Sequence, residues 1–155
     1  MGVSIAQTFH DKVTAISADA LYPVGTVRHE NGKKYVYQQA DDAITQYDYV
    51  ILDVAASATG KKVVSGTDTT DMIFGVAEVA VTDEYYFWCT VGGPATVLAA
   101  TGLSAGDTLG ASAATGVMDA VSTRDPFGIL LVANSSGSAA ARAIMLFNTV
   151  GSACI

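Results

Sequence analysis

Gly25-Thr-Val-Arg-His-Glu30, then Asn31-Gly32, then Lys33-Lys-Tyr-Val-Tyr-Gln38 is the stretch whose reading decides the fold. Two runs rich in Val, Tyr and Thr flank an Asn-Gly dipeptide, and both residues of that dipeptide tolerate the positive φ that a tight hairpin turn demands. A β-hairpin follows. Downstream the same grammar repeats about every ten residues. The stretch from Asp42 to Asp53 offers a turn into a strand, and Ser57-Ala-Thr-Gly-Lys61 breaks it. Strands are then expected over Met72 to Val81, Tyr85 to Val91, Ala95 to Ala99, Thr108 to Leu109, Gly128 to Ala133 and Ala143 to Phe147, with Gly, Asp, Asn and Ser between them. Many short strands at even spacing, with no ten-residue amphipathic helical pattern, predict an all-β chain folded as a compact barrel or sandwich with little or no helix. Residues 2–20 show no clean period. They read as an extended N-terminal arm (residues 1–20) or an added edge strand, ahead of a single β domain over residues 21–155 with a short C-terminal tail.

An internal duplication supports that architecture. Phe74-Gly-Val-Ala-Glu-Val-Ala80 is echoed by Phe127-Gly-Ile-Leu-Leu-Val-Ala133, and Ala43-Ile-Thr-Gln-Tyr-Asp-Tyr-Val50 by Gly102-Leu-Ser-Ala-Gly-Asp-Thr-Leu109. In the second pair each segment sets an Asp just before a strand. Two similar β units closing one barrel is the natural reading.

Composition bounds function. The chain has 155 residues, one domain's worth, and 50% of them are hydrophobic, enough for a core without staples. Only 15% are charged, against roughly 25% for an average soluble domain. Ala, Gly, Ser, Thr and Val fill the difference, which suits a surface partly covered by neighbours. The net charge of −7 argues against nucleic acid as a partner, because phosphate binding draws on clustered Lys and Arg. The longest apolar run, Phe127 to Ala133, is far short of the ~20 residues of a spanning helix, so no membrane partner is expected. Polar Gln7, His10, Asp11 and Lys12 interrupt any leader-like core, which points to synthesis in the cytoplasm of the producing cell.

The catalytic inventory reads as empty, so no enzyme is expected, and neither a catalytic residue, a cofactor nor a metal site is assigned. Gly102-Leu-Ser-Ala-Gly106 matches the nucleophile elbow by letter, but that elbow needs a strand-to-helix turn and a downstream His, whereas His10 and His29 both precede it. The two histidines lack the partners of a metal site. Asp68, Asp71, Asp83 and Glu84 do not follow calcium-loop spacing and read as turn-forming acids. Cys89 and Cys154 are too far apart in sequence for a CxxC motif and read as free thiols, with Cys154 a candidate cross-link to a neighbouring subunit.

The stretch with a binding character is Tyr85-Tyr-Phe-Trp-Cys-Thr-Val91. Alternation sends Tyr85, Phe87, Cys89 and Val91 to one face and Tyr86, Trp88 and Thr90 to the other, so both faces are largely apolar and both need cover. One cover is the core. The other is either a loop of the same chain or a subunit neighbour, for which Tyr and Trp are the usual anchors.

Tyr86-Phe-Trp-Cys-Thr-Val-Gly-Gly-Pro-Ala95, with Ala105-Gly-Asp107 and Phe127-Gly-Ile129, resembles the capsid decoration (cement) proteins of tailed bacteriophages. Pro23-Val-Gly-Thr26 and Asn31-Gly-Lys-Lys-Tyr-Val-Tyr37 add to the resemblance, which spans roughly Leu21 to Leu146. What the resemblance implies is a β-tulip-like fold and a homotrimer on the outer surface of the virion capsid. There it would bridge neighbouring major capsid proteins at threefold or quasi-threefold positions. The candidate subunit or capsid contacts are Ile5 and Phe9 in the arm and Tyr85, Tyr86, Phe87 and Trp88 in the aromatic strand. The rival roles are another phage structural protein, such as a head-fibre base or tail component, and a small-ligand-binding β-barrel.

Overall fold

A computed structural model describes residues 9–52, 62–69, 72–121, 128–135 and 139–145. Among these residues there is no helix, and the chain is all-β as expected. The ten strands are β1 (Val27–Glu30), β2 (Lys33–Ala40), β3 (Tyr49–Leu52), β4 (Lys62–Ser65), β5 (Gly75–Val76), β6 (Tyr86–Ala99), β7 (Thr108–Ala111), β8 (Met118–Ala120), β9 (Ile129–Leu131) and β10 (Ala139–Met145). The hairpin forms where the sequence places it: β1 pairs antiparallel with β2, and Asn31 and Gly32 take φ values of 51° and 75°.

Pairing closes on itself twice. β2 pairs with β4, β4 with β3, β3 with β5, β5 with β6, and β6 returns to β2. A second ring runs β6, β10, β9, β7, β8 and back to β6. The second ring repeats the connectivity of the first, including its single parallel contact: Ala40 beside Val63 in the first, Ala99 beside Met118 in the second. β6 is the last strand of the N-terminal unit and the first of the C-terminal unit.

The duplication read from the sequence is therefore a duplication of topology, with one correction of register. The β3 and β7 match stands: in Thr45–Asp48 and in Ser104–Asp107 the Asp amide donates to the carbonyl three residues back, and the Asp carboxylate accepts from that residue's amide. In the other match, Tyr49 pairs with Val76 while its counterpart Thr108 pairs with Leu130, so Gly75 corresponds to Ile129 rather than to Gly128. The shared Phe-Gly letters lie one residue out of structural register, and Phe127 is outside the described residues.

The same turn opens both units. Pro23–Thr26, Thr45–Asp48, Thr82–Tyr85, Ser104–Asp107 and Ala114–Val117 each close with an amide donating to the carbonyl three residues back. In each the third residue (Gly25, Tyr47, Glu84, Gly106, Gly116) has positive φ, the signature of a type II turn, and a strand follows within two residues. The Gly102–Gly106 pentapeptide is thus a turn into a strand, as its rejection as a nucleophile elbow requires.

Gly92-Gly93-Pro94, which reads as a break between two strands, lies inside β6. The strand stays continuous because a bulge absorbs the irregularity: Lys34 pairs with Gly92 but Tyr35 with Thr90, leaving Val91 over. Gly93 has φ of 89°, and a Cβ there would lie 2.4 Å from the Gly32 carbonyl oxygen. Pro94 pairs with Ile144 on one side and has no ladder partner on the other, so its missing N–H costs nothing. The expectations for Met72–Val81 and Gly128–Ala133 shrink to the short strands β5 and β9, and β4 and β8, whose Lys62-Val-Val-Ser65 and Met118-Asp-Ala120 are too brief to show a period, were not anticipated.

The alternation of β6 divides the interior as the sequence predicts. Phe87 and Cys89 belong to a core with Ala40, Ile44, Val50, Val63, Ala77 and Val81. Val97, Ala99, Leu109, Met118, Ile129 and Leu131 form the core of the second unit, joined by Tyr49 and Val76 from the first. Both rings are filled with side chains. Gly93→Ala is expected to cost about 2–3 kcal/mol in denaturant unfolding, from backbone strain plus the close approach to Gly32, while Pro94→Ala stays within about 0.5 kcal/mol. Equal midpoints for the two variants would contradict this account of the bulge.

Candidate functional site

The second face of the aromatic strand is covered by the chain's own N-terminal segment. Tyr35, Tyr37 and Trp88 are buried in a cluster with Phe9, Val13, Tyr22 and Tyr86. Phe9 meets Trp88 edge-on with ring centroids 5.2 Å apart, and Tyr22 meets Tyr37 edge-on at 5.3 Å. Among the described residues the segment joins the sheet through a single bridge, between Ser17 and Tyr86, so side chains, not a ladder, hold residues 9–22.

Asp11 is the hub. Its carboxylate accepts from the Trp88 indole N–H (2.7 Å) and from the Tyr22 hydroxyl (2.6 Å). Arg28 donates to the Asp11 backbone carbonyl (2.9 Å), lies 3.5 Å from its carboxylate, and pairs with Glu30. The same guanidinium stands over the rings of Phe9 (4.9 Å) and Trp88 (5.5 Å). Burial pushes the Asp11 carboxyl up, but the hydrogen bonds from Tyr22 and Trp88 and the charge of Arg28 outweigh it and leave the group below its ordinary 3.8. The hydrogen bond to Asp11 and burial raise the Tyr22 hydroxyl above its ordinary 10.0.

These placements revise the contact assignments. Phe87 is 0% and Trp88 1% exposed within this chain, so neither presents surface to a neighbour. Phe9 packs on Trp88 and is half-buried, so it keeps part of its surface. Tyr85 and Tyr86 are half-buried and keep part of their surface. Ile5 and Cys154 lie outside the described residues. Of the two covers open for the aromatic strand, the structure supplies a segment of the same chain.

The corresponding face of the second unit is open. By the repeated register, Arg142 takes the place of Trp88, Ala140 that of Tyr86, Thr96 that of Tyr37 and Pro94 that of Tyr35. Pro94, Arg142 and Ile144 on this face are exposed, together with Leu130, which pairs with Ile144, and Val132. Val132 is 48% exposed. Pro94, Val132, Arg142 and Ile144 line a shallow cleft of about 330 Å³ together with Lys33 and Thr96. Lys33 is committed to Glu78 at 2.6 and 2.8 Å, whereas Arg142 has no ion pair among the described residues. Sequence reading missed these residues. Their only signal is the alternation Ala139-Ala-Ala-Arg-Ala-Ile-Met145, which sends alanine inward and Arg142 and Ile144 outward.

No three His, Cys, Asp or Glu side chains gather as a metal site among the described residues. Glu84 is drawn into an ion pair with Lys62, which also binds Asp41. Cys89 is fully enclosed beside the Val76 carbonyl, and burial pushes its thiol far up. No protein-family model matches this sequence, and no curated protein matches it.

The Asp11 hub sets a pH window. A carboxyl held below its unfolded value stabilises at higher pH, and this is lost as pH falls below 3.8 through the folded value; a phenol held above its unfolded value stabilises below pH 10.0 and is lost as pH rises through the folded value. Trp88 is the only tryptophan. On acidification its emission is expected to shift to the red before global unfolding, and Asp11→Asn should flatten that step and cost about 1–3 kcal/mol at neutral pH. In a Cys154→Ser background, Cys89 is expected to resist a thiol reagent until denaturant is added; rapid native labelling would contradict its enclosure.

Proposed function

We propose that this chain is a virion structural protein, a capsid decoration protein that binds the outer surface of a tailed-phage head and stabilises contacts between major capsid proteins. The observation that carries the reading is the open apolar face of the C-terminal unit on an otherwise acidic, low-charge β body. Such a face is what a protein-binding module presents. The sequence resemblance supplies the kind of partner. Filled ring interiors weigh against the ligand-binding barrel, since that role needs a cavity where Val97, Leu109 and Met118 now pack.

In this reading the protein has no catalytic task and needs no cofactor. It binds the assembled, expanded lattice in preference to free capsid protein, so occupancy shifts the assembly equilibrium by linkage, and many modest contacts add through multivalency. A homotrimer at threefold or quasi-threefold positions is the proposed form.

The test is the mass of the protein in solution, followed by co-sedimentation with empty expanded heads. The expected outcome is a trimer that saturates heads at a fixed ratio and raises the temperature at which they open. A monomer that leaves head melting unchanged would overturn the proposal, and binding confined to tails or fibres would transfer it to that part of the particle.

A further inference from the structure

We propose that the open face of the C-terminal unit, centred on Arg142 and Ile144, docks an extended segment of a partner protein that carries a carboxylate two residues from an aromatic side chain. The chain contains a worked version of this contact. On the N-terminal unit the equivalent face is covered by an extended segment in which Phe9 and Asp11, two residues apart, both engage Trp88. Residues at that spacing in an extended chain project to the same side.

The duplication puts Arg142 at the Trp88 position, and the chemistry carries over with the donor changed. A guanidinium offers a carboxylate two parallel N–H donors where the indole offers one, and its plane accepts an aromatic ring. On the N-terminal unit Arg28 already does both, pairing with Asp11 and lying over Phe9. Arg142 is exposed and has no ion pair among the described residues, while Lys33 beside it is neutralised by Glu78, so among these residues the face offers an uncommitted cation in an apolar surround. Ile144, Leu130 and Val132 supply that surround. A carboxylate alone would suit any exposed arginine; the flanking apolar side chains require a segment with a hydrophobic anchor as well.

The geometry also fixes how the segment binds. Among the described residues each strand of the C-terminal ring already has a neighbour on both sides, which leaves only short stretches of edge for an added strand. Recognition through side chains on the face, as for the N-terminal segment, is the mode this arrangement favours. This inference does not rest on the virion reading, because the face would select the same chemistry on any partner.

The test uses the full-length protein and a blocked peptide, Phe-His-Asp-Lys-Val, as the probe, with Phe-His-Asn-Lys-Val as its control. Amide chemical shifts followed by NMR are expected to move saturably at Thr96, Val132, Arg142 and Ile144. The Asn control, Arg142→Ala and Ile144→Ser should each weaken binding at least fivefold, with the remaining spectrum and the melting temperature unchanged. Shifts confined to Tyr37 and Trp88, or an affinity indifferent to Arg142→Ala, would overturn the proposal. So would a wild-type oligomer that ignores the peptide and becomes monomeric with Ile144→Ser, because the face would then belong to a second copy of this chain.

Discussion

Everything in this fold depends on β6 serving two sheets at once. Its first half closes the N-terminal ring against β2 and β5, and its second half opens the C-terminal ring against β10 and β8. A strand with those two duties must change direction without losing its ladder, and Gly92-Gly93-Pro94 with the bulge at Val91 is where it does so. The bend needs a residue that tolerates positive φ against the Gly32 carbonyl and a neighbour that can forgo a donor. Gly93 and Pro94 meet those two needs side by side.

Sharing one strand also couples the two cores. Ala141 stands where the first unit has Phe87, and Ala143 where it has Cys89, so the second unit lines its own β10 with small side chains. The space is taken by Tyr49 and Val76, which arise from β3 and β5 of the first unit. Tyr49 is fully buried, its hydroxyl donates to the Ser112 carbonyl at 3.0 Å, and its amide donates to Gly116. The C-terminal unit thus borrows a strand and two core residues. The C-terminal ring is therefore not complete without the N-terminal one, which is the physical reason the two repeated units are coupled.

The fold was legible in the sequence wherever alternation or turn chemistry was strong. The Asn31-Gly32 hairpin, the two faces of Tyr85–Val91 and the paired Asp turns at Thr45–Asp48 and Ser104–Asp107 all follow from side-chain period and local hydrogen bonding. What escaped was nonlocal. A Gly-Gly-Pro run signals a break unless a partner strand is known to bridge it, strands of three or four residues have no measurable period, and the one-residue error in matching β5 to β9 came from weighing identical letters above ladder register. The site was less legible still. The sequence marked Trp88 as needing cover but not that residues 9–22 supply it, and Arg142 is invisible until the register aligns it with Trp88.

The divergence between the two outer faces has an energetic logic. The N-terminal unit invests its face in Tyr35, Tyr37 and Trp88, a surface too apolar to leave in water, and covers it with a tethered segment whose effective concentration is high. The C-terminal face keeps the same backbone but replaces those aromatics with Pro94, Thr96 and Arg142. That composition is tolerable when solvated, since the guanidinium stays hydrated and the aliphatic area is modest, yet it retains enough apolar surface to favour burial when a complementary segment arrives. Duplication of one β unit has in this way yielded a closed face that stabilises the molecule and an open one that can be occupied reversibly.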